Sequence, residues 1–158
     1  MFTVEERDRI RGHIVELARR DKRIVAGALV GGSAAGGDRW SDLDLSFGLS
    51  EGTDLVGTLA EFTRVLEKEF QAVTLFDLPY QSTVYRVFLF PGCLQVDLSF
   101  TPGHDFGALG PRFSLLFGKT VERVQPQPVT LEHLFGLAVH HLLRARFCVE
   151  RGRFWQAG

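Results

Sequence analysis

The chain has 158 residues, of which 45% are hydrophobic and 23% charged. That balance suits one folded domain, or one domain and the start of a second, and excludes the charge-rich, aromatic-poor class of disordered chains. A formal charge of -1 gives no bulk attraction to phosphate polymers, so long DNA or RNA is not expected as a partner.

Thr3 followed by Glu6 matches a capping box, and Ile10, Ile14, Leu17 and Ala18 then recur at helical spacing, which predicts an amphipathic helix over residues 4–20. This amino terminus lacks the apolar core of a signal peptide, and no run of about 18 apolar residues is present to span a membrane. A cytoplasmic location is the expectation. Residues 24–30 form a short apolar run before Gly31, Gly32 and Ser33, which suits a buried strand entering a tight turn. In residues 42–49, Leu43, Leu45 and Phe47 alternate with Asp42, Asp44 and Ser46, so a second strand is predicted with one apolar and one acidic face. Leu55, Leu59, Phe62, Leu66 and Phe70 hold a helical stripe over about residues 53–70, and a short strand is expected over 73–76.

Residues 83–90 and 94–100 read as strands joined through Pro91 and Gly92 into an antiparallel hairpin that ends at Pro102 and Gly103. In the second strand Val96, Leu98 and Phe100 share one face, and Gln95, Asp97 and Ser99 the other. Glycines and a proline punctuate residues 106–124, for which loops and short turns are expected, and 125–128 reads as a connector. A long helix is predicted from Leu131, since Leu131, Leu134, Phe135, Ala138, Leu142, Ala145 and Val149 keep a helical stripe. The stripe runs nearly to Phe154 and Trp155, so a second subunit or further residues are expected to cover it. The expected organisation is a domain over 1–124 and the start of a helical domain over 125–158. Cys93 and Cys148 lie far apart, outside any CxxC spacing, and read as two buried thiols.

Chemistry concentrates in three carboxylates on strand faces. Residues two apart on a strand lie on one side with Cα atoms roughly 6–7 Å apart, so Asp42 and Asp44 can converge on divalent ions about 3.5–4 Å from each other. Asp97 on a neighbouring strand would add a third hard oxygen ligand suited to Mg²⁺ bridging substrate phosphates. Acids without a sequence-adjacent Lys or Arg repel one another in a structural role, and a bound dication removes that repulsion. Glycines at 31 and 32 let backbone N–H groups approach a phosphate, and Ser33 adds a hydroxyl. Other polar groups have plainer readings. His133, His140 and His141 on one helix lack further metal ligands, Arg144, Arg146, Arg151 and Arg153 complement the helix dipole, and His104-Asp105 is a loop dipeptide.

Gly32-Ser33, Asp42-Leu43-Asp44 and Val96-Asp97-Leu98, in this order over residues 24–100, resemble the signature of the nucleotidyltransferase superfamily that includes DNA polymerase beta. The pattern is most similar to the small antibiotic-modifying and minimal nucleotidyltransferases. The resemblance implies an α+β fold, a mixed β-sheet flanked by helices, followed here by the long carboxy-terminal helix. It implies that Gly32 and Ser33 bind the triphosphate of a nucleotide and that Asp42, Asp44 and Asp97 ligate Mg²⁺, two ions in all, and carry catalysis. The implied reaction moves a nucleotidyl group, AMP from ATP, to a hydroxyl of a small molecule such as an aminoglycoside or lincosamide, releasing pyrophosphate. A protein target, as in toxin-linked minimal members, and a non-catalytic nucleotide-binding module are the alternatives, and a homodimer is compatible with either. The chain departs from many members at Ala35, where a basic residue is usual, and Arg39 is the nearest replacement charge. Neither Glu132 nor Glu150 matches the extra carboxylate base of the antibiotic-modifying members.

Overall fold

Thr3 closes its capping box, with its hydroxyl accepting from the Glu6 N–H at 3.2 Å and the Glu6 carboxylate accepting from the Thr3 N–H at 2.8 Å. The helix so started, α1 (Val4–Arg20), buries Ile10, Ile14 and Ala18, the residues set at helical spacing. The structure is a computed structural model describing residues 1–34, 40–123 and 129–153. The chain divides into two compact units, Met1–Gln125 and Pro126–Gly158. No helix among the described residues is long and apolar enough to cross a membrane.

In the first unit α1 is followed by β1 (Ile24–Val30), the single turn α2 (Gly31–Ala34), β2 (Leu43–Leu49) and α3 (Leu55–Phe70). The strands β3 (Val73–Tyr80), β4 (Thr83–Phe90), β5 (Leu94–Pro102) and β6 (Phe113–Phe117) complete it. The fold is α+β. Six strands form one sheet in the order β3-β4-β5-β2-β1-β6, mixed because β2 and β5 run parallel while every other pair is antiparallel. Period-two alternation turns Leu43, Leu45, Phe47, Val96, Leu98 and Phe100 to one face, where they join Ile10, Ile14, Leu59, Phe62 and Leu66 of the two helices in a single apolar cluster. Phe100 sits at its centre, 5.2 Å from the Phe62 ring and 5.6 Å from the Phe47 ring.

Three expectations need correction. Residues 106–124 are not all loop, because β6 pairs with β1 at the sheet edge. Its register shifts between Gly27 and Ala28, so Leu116 and Phe117 both pack against the helix-side cluster while Phe113 packs beside Phe106, and simple alternation is lost. Tertiary contacts hold it: Arg19 donates to the Leu116 carbonyl at 2.9 Å and lies 4.5 Å over the Phe117 ring, whose edge fills the space a Cβ on Gly27 would need. The strand expected over 73–76 runs on to Tyr80, tolerating Pro79 because β3 is an edge strand. Cys93 is exposed, at φ 65° in the turn between β4 and β5, whereas Cys148 is buried. Ala35, Arg39, the connector at 125–128, and Phe154 and Trp155 lie outside the described residues.

The second unit contains α4 (Leu131–Glu150), capped by the Thr130 hydroxyl, which accepts from the His133 N–H at 3.3 Å.

Phe100→Ala should destabilise the first unit by about 3–5 kcal/mol, since it removes the ring that both Phe47 and Phe62 pack upon. Urea unfolding followed by circular dichroism measures this, and Phe100→Leu should cost clearly less.

Candidate metal centre

The parallel pairing of β2 with β5 sets Asp44 directly beside Asp97. Both point away from the helix-side cluster, because their strand neighbours Leu43, Leu45, Val96 and Leu98 fill it. Asp42, immediately before β2 and two residues from Asp44, adds a carboxylate to the same side. One ligand oxygen from each of Asp42, Asp44 and Asp97 lies within 4.8 Å of the others, and all three residues are half-buried. The structure therefore brings together the three acids that the sequence sets apart by strand alternation.

Charge in this cluster is poorly compensated. Burial pushes the Asp44 carboxyl up to about 7, the negative charges of Asp42 and Asp97 push the same way, and Arg112 only partly opposes them. Asp97 is also raised, chiefly by burial and further by Asp42, although the Gln95 amide donates to its two oxygens at 3.0 and 3.3 Å and pulls the other way. Among the described residues none of the three carboxylates makes an ion pair within 4.0 Å. Half-buried oxygen donors in mutual repulsion fit a hard divalent cation such as Mg²⁺, which needs carboxylates and keeps sites open for water or phosphate.

Local devices hold the acids in place. Gly31 has φ +62°, and a Cβ there would collide with the Asp44 carboxylate, so only glycine leaves room for that side chain. The Gly31 N–H donates to the Arg112 carbonyl at 3.2 Å, which ties the turn to the lead-in of β6. Gly32 lies beside the Ser41 hydroxyl, 3.8 Å from where its Cβ would be. The Ser33 hydroxyl donates to the Asp42 carbonyl at 2.6 Å, and Arg7 of α1 donates to the Ser41 carbonyl at 3.2 Å. Gly32 and Ser33 thus stand next to the acids, with the Ser33 proton directed at the chain entering β2 rather than outward. Further along the strands the same face turns neutral and buried: Ser99 donates to Ser46 at 2.8 Å, and the Thr83 and Thr101 hydroxyls share a bond of 2.8 Å.

Sequence reasoning missed Arg7, Arg112 and the fit of Gly31 to Asp44. Gln95 was visible on the acidic face of its strand. Nothing local marks Arg7, which reaches the site across the fold from another element.

No protein-family model and no curated protein matches the chain. Among solved structures it is similar to an aminoglycoside 6-adenyltransferase from Bacillus subtilis, with 15% identity and a TM-score of 0.46. That likeness covers 99% of this chain, which spans about 60% of the length of the other. A likeness so distant decides nothing about activity, which has to be read from the chemistry of the site.

The raised Asp44 pKa makes the metal-free fold pH-dependent. The folded form binds a proton more readily than the unfolded chain, so this group's penalty is absent below about pH 4, grows as pH rises, and is complete above about 7. Asp44→Asn removes the penalty. In chelator the variant should match wild type at acid pH and exceed it by on the order of 1–3 kcal/mol at pH 8. Paired melting curves across that range test this, and Mg²⁺ should narrow the gap at pH 8 by stabilising wild type.

Proposed function

We propose that the chain is a metal-dependent nucleotidyltransferase that moves AMP from ATP to a hydroxyl of a small molecule, with a cationic polyol such as an aminoglycoside, or a lincosamide, as acceptor. The observation that carries this reading is the convergence of Asp42, Asp44 and Asp97, with ligand oxygens within 4.8 Å on adjacent parallel strands. Asp42 and Asp44 supply two hard ligands and Asp97 completes the set. Mg²⁺ held by them would neutralise phosphate charge and favour both the entering and the leaving oxygen. In the transfer, a bond forms between the acceptor oxygen and the α-phosphorus, the bond to the bridging oxygen of the β-phosphate breaks, and pyrophosphate leaves. The acceptor proton goes to Asp97, the carboxylate on the neighbouring strand, acting as general base. Gly32 and Ser33 flank this site and offer the main chain of their turn to the triphosphate. The Ser33 hydroxyl bond to the Asp42 carbonyl couples that turn to the first acid. An acidic, partly open surface also suits an acceptor that carries ammonium groups beside its hydroxyls.

The deciding experiment incubates the protein with Mg²⁺, labelled triphosphates, and panels of antibiotics and proteins. Label on a small molecule is the expected outcome. Label on protein supports the alternative of a protein-modifying enzyme, and nucleotide bound with no label transferred supports a non-catalytic nucleotide-binding module. Triphosphate binding followed by calorimetry should strengthen with Mg²⁺, and equal affinity in chelator would remove the metal from the reading. Asp97→Asn keeps shape while removing charge. It should hold nucleotide within about tenfold of wild type yet lose at least about a hundredfold in pre-steady-state transfer. A folded variant with near wild-type transfer would take Asp97 out of the site.

A further inference from the structure

We propose that α4 pairs antiparallel with α4 of a second copy of this chain, about a two-fold axis at His140. Every residue of α4 except Ala145 and Cys148 is exposed, including Leu131 at 82%, Phe135 at 70%, Leu142 at 71% and Val149 at 51%. A helix with that much apolar surface needs a covering partner. Leu131, Phe135, Ala138, Leu142, Ala145 and Val149 are spaced by four, three, four, three and four residues, the 3.5-residue repeat of a helix–helix seam.

The order of large and small residues in this seam fixes the direction of pairing. Turned end for end about His140, the seam sets Leu131 against Val149 of the second copy, Phe135 against Ala145, and Leu142 against Ala138. Each bulky residue in the inner layers then meets an alanine, as interdigitated packing requires. A parallel pair would instead stack Phe135 on Phe135 and Ala138 on Ala138, overfilling one layer and emptying the next.

Charge agrees with this register. Glu132, Val139 and Arg146 each follow a seam residue by one position and so share a flank. Same-flank residues face each other in an antiparallel pair, which places Glu132 opposite Arg146 of the second copy, twice by symmetry, with Val139 against itself near the axis. Among the described residues of one copy Arg146 pairs with Glu150 through an exposed contact at 3.1 Å, a weak pair that it can exchange. A two-fold axis demands such self-complementarity of one surface, and this seam has it in both size and charge.

Sedimentation velocity on the full chain tests the pairing, with the sheet unit monitored by circular dichroism. Wild type should show a concentration-dependent species of twice the chain mass. Leu142→Glu should leave only monomer with the sheet signal intact. Glu132→Arg should raise the dimer dissociation constant by about tenfold, and adding Arg146→Glu should restore it to within about threefold. A wild-type chain that stays monomeric at every concentration overturns the proposal and points to this chain's own residues as the cover of α4. A dimer that survives Leu142→Glu, or a charge reversal that the second reversal does not rescue, overturns it as well.

Discussion

The first unit depends on one pairing constraint: Asp44 and Asp97 are neighbours across the parallel β2–β5 ladder. Parallel strands in direct register hold partner side chains at the same height on the same face, so two carboxylates placed this way can part only by side-chain rotation. Asp42 sits two residues along and adds a third carboxylate to the same side. Repulsion that flexible side chains on a loop would relieve is instead held by the fold, where it adds to the burial that chiefly raises Asp44 and Asp97.

Such a cluster stands only on a scaffold stable enough to carry it. The opposite face of the same strands supplies that stability through Leu43, Leu45, Val96, Leu98 and Phe100, all at 1% exposure or less. Burial of apolar side chains contributes roughly 1.5–3 kcal/mol each, so a few of them offset the electrostatic cost of the acids. The connection feeding β2 is fixed separately, by Arg7 on the Ser41 carbonyl and Ser33 on the Asp42 carbonyl. Gly31 then gives Asp44 its space. Helix, turn and strand each restrain one part of the same short stretch.

How much of this was legible in the sequence follows from the range of each interaction. Asp42-Leu43-Asp44-Leu45 and Gln95-Val96-Asp97-Leu98 state their faces through alternation alone, so the acids and the apolar cluster beneath them could be read directly. The helices were equally clear from Thr3 with Glu6 and from the stripe Leu59, Phe62 and Leu66. By contrast β6 has four apolar residues in five and a register shift against β1, so no period identifies it; Arg19 and the bare surface of Gly27 make it a strand. The exposure of Cys93 depends on a turn geometry that composition does not encode. Arg7 and the direction of the Ser33 proton are properties of the assembled fold.

The acids also help to choose the register that brings them together. No tight turn joins β2 to β5, since α3, β3 and β4 intervene, so loop geometry cannot set their alignment as it does for a hairpin. A slip of one residue on β5 would turn Asp97 into the cluster around Phe47 and Phe62, and Phe100 out of it to the polar face. Burying an unpaired carboxylate there costs several kcal/mol, and the same slip breaks the Ser46–Ser99 hydrogen bond. A slip of two keeps the faces but sets Asp44 beside Ser99 or Gln95, separates the two serines, and moves Phe100 off the Phe47 and Phe62 rings it packs upon. Aromatic packing around Phe100 and the 2.8 Å Ser46–Ser99 bond both belong to the alignment in which Asp44 meets Asp97. Core packing and the hydroxyl pair thus hold together like charges that electrostatics alone would part, and three carboxylates within reach of one another are the product.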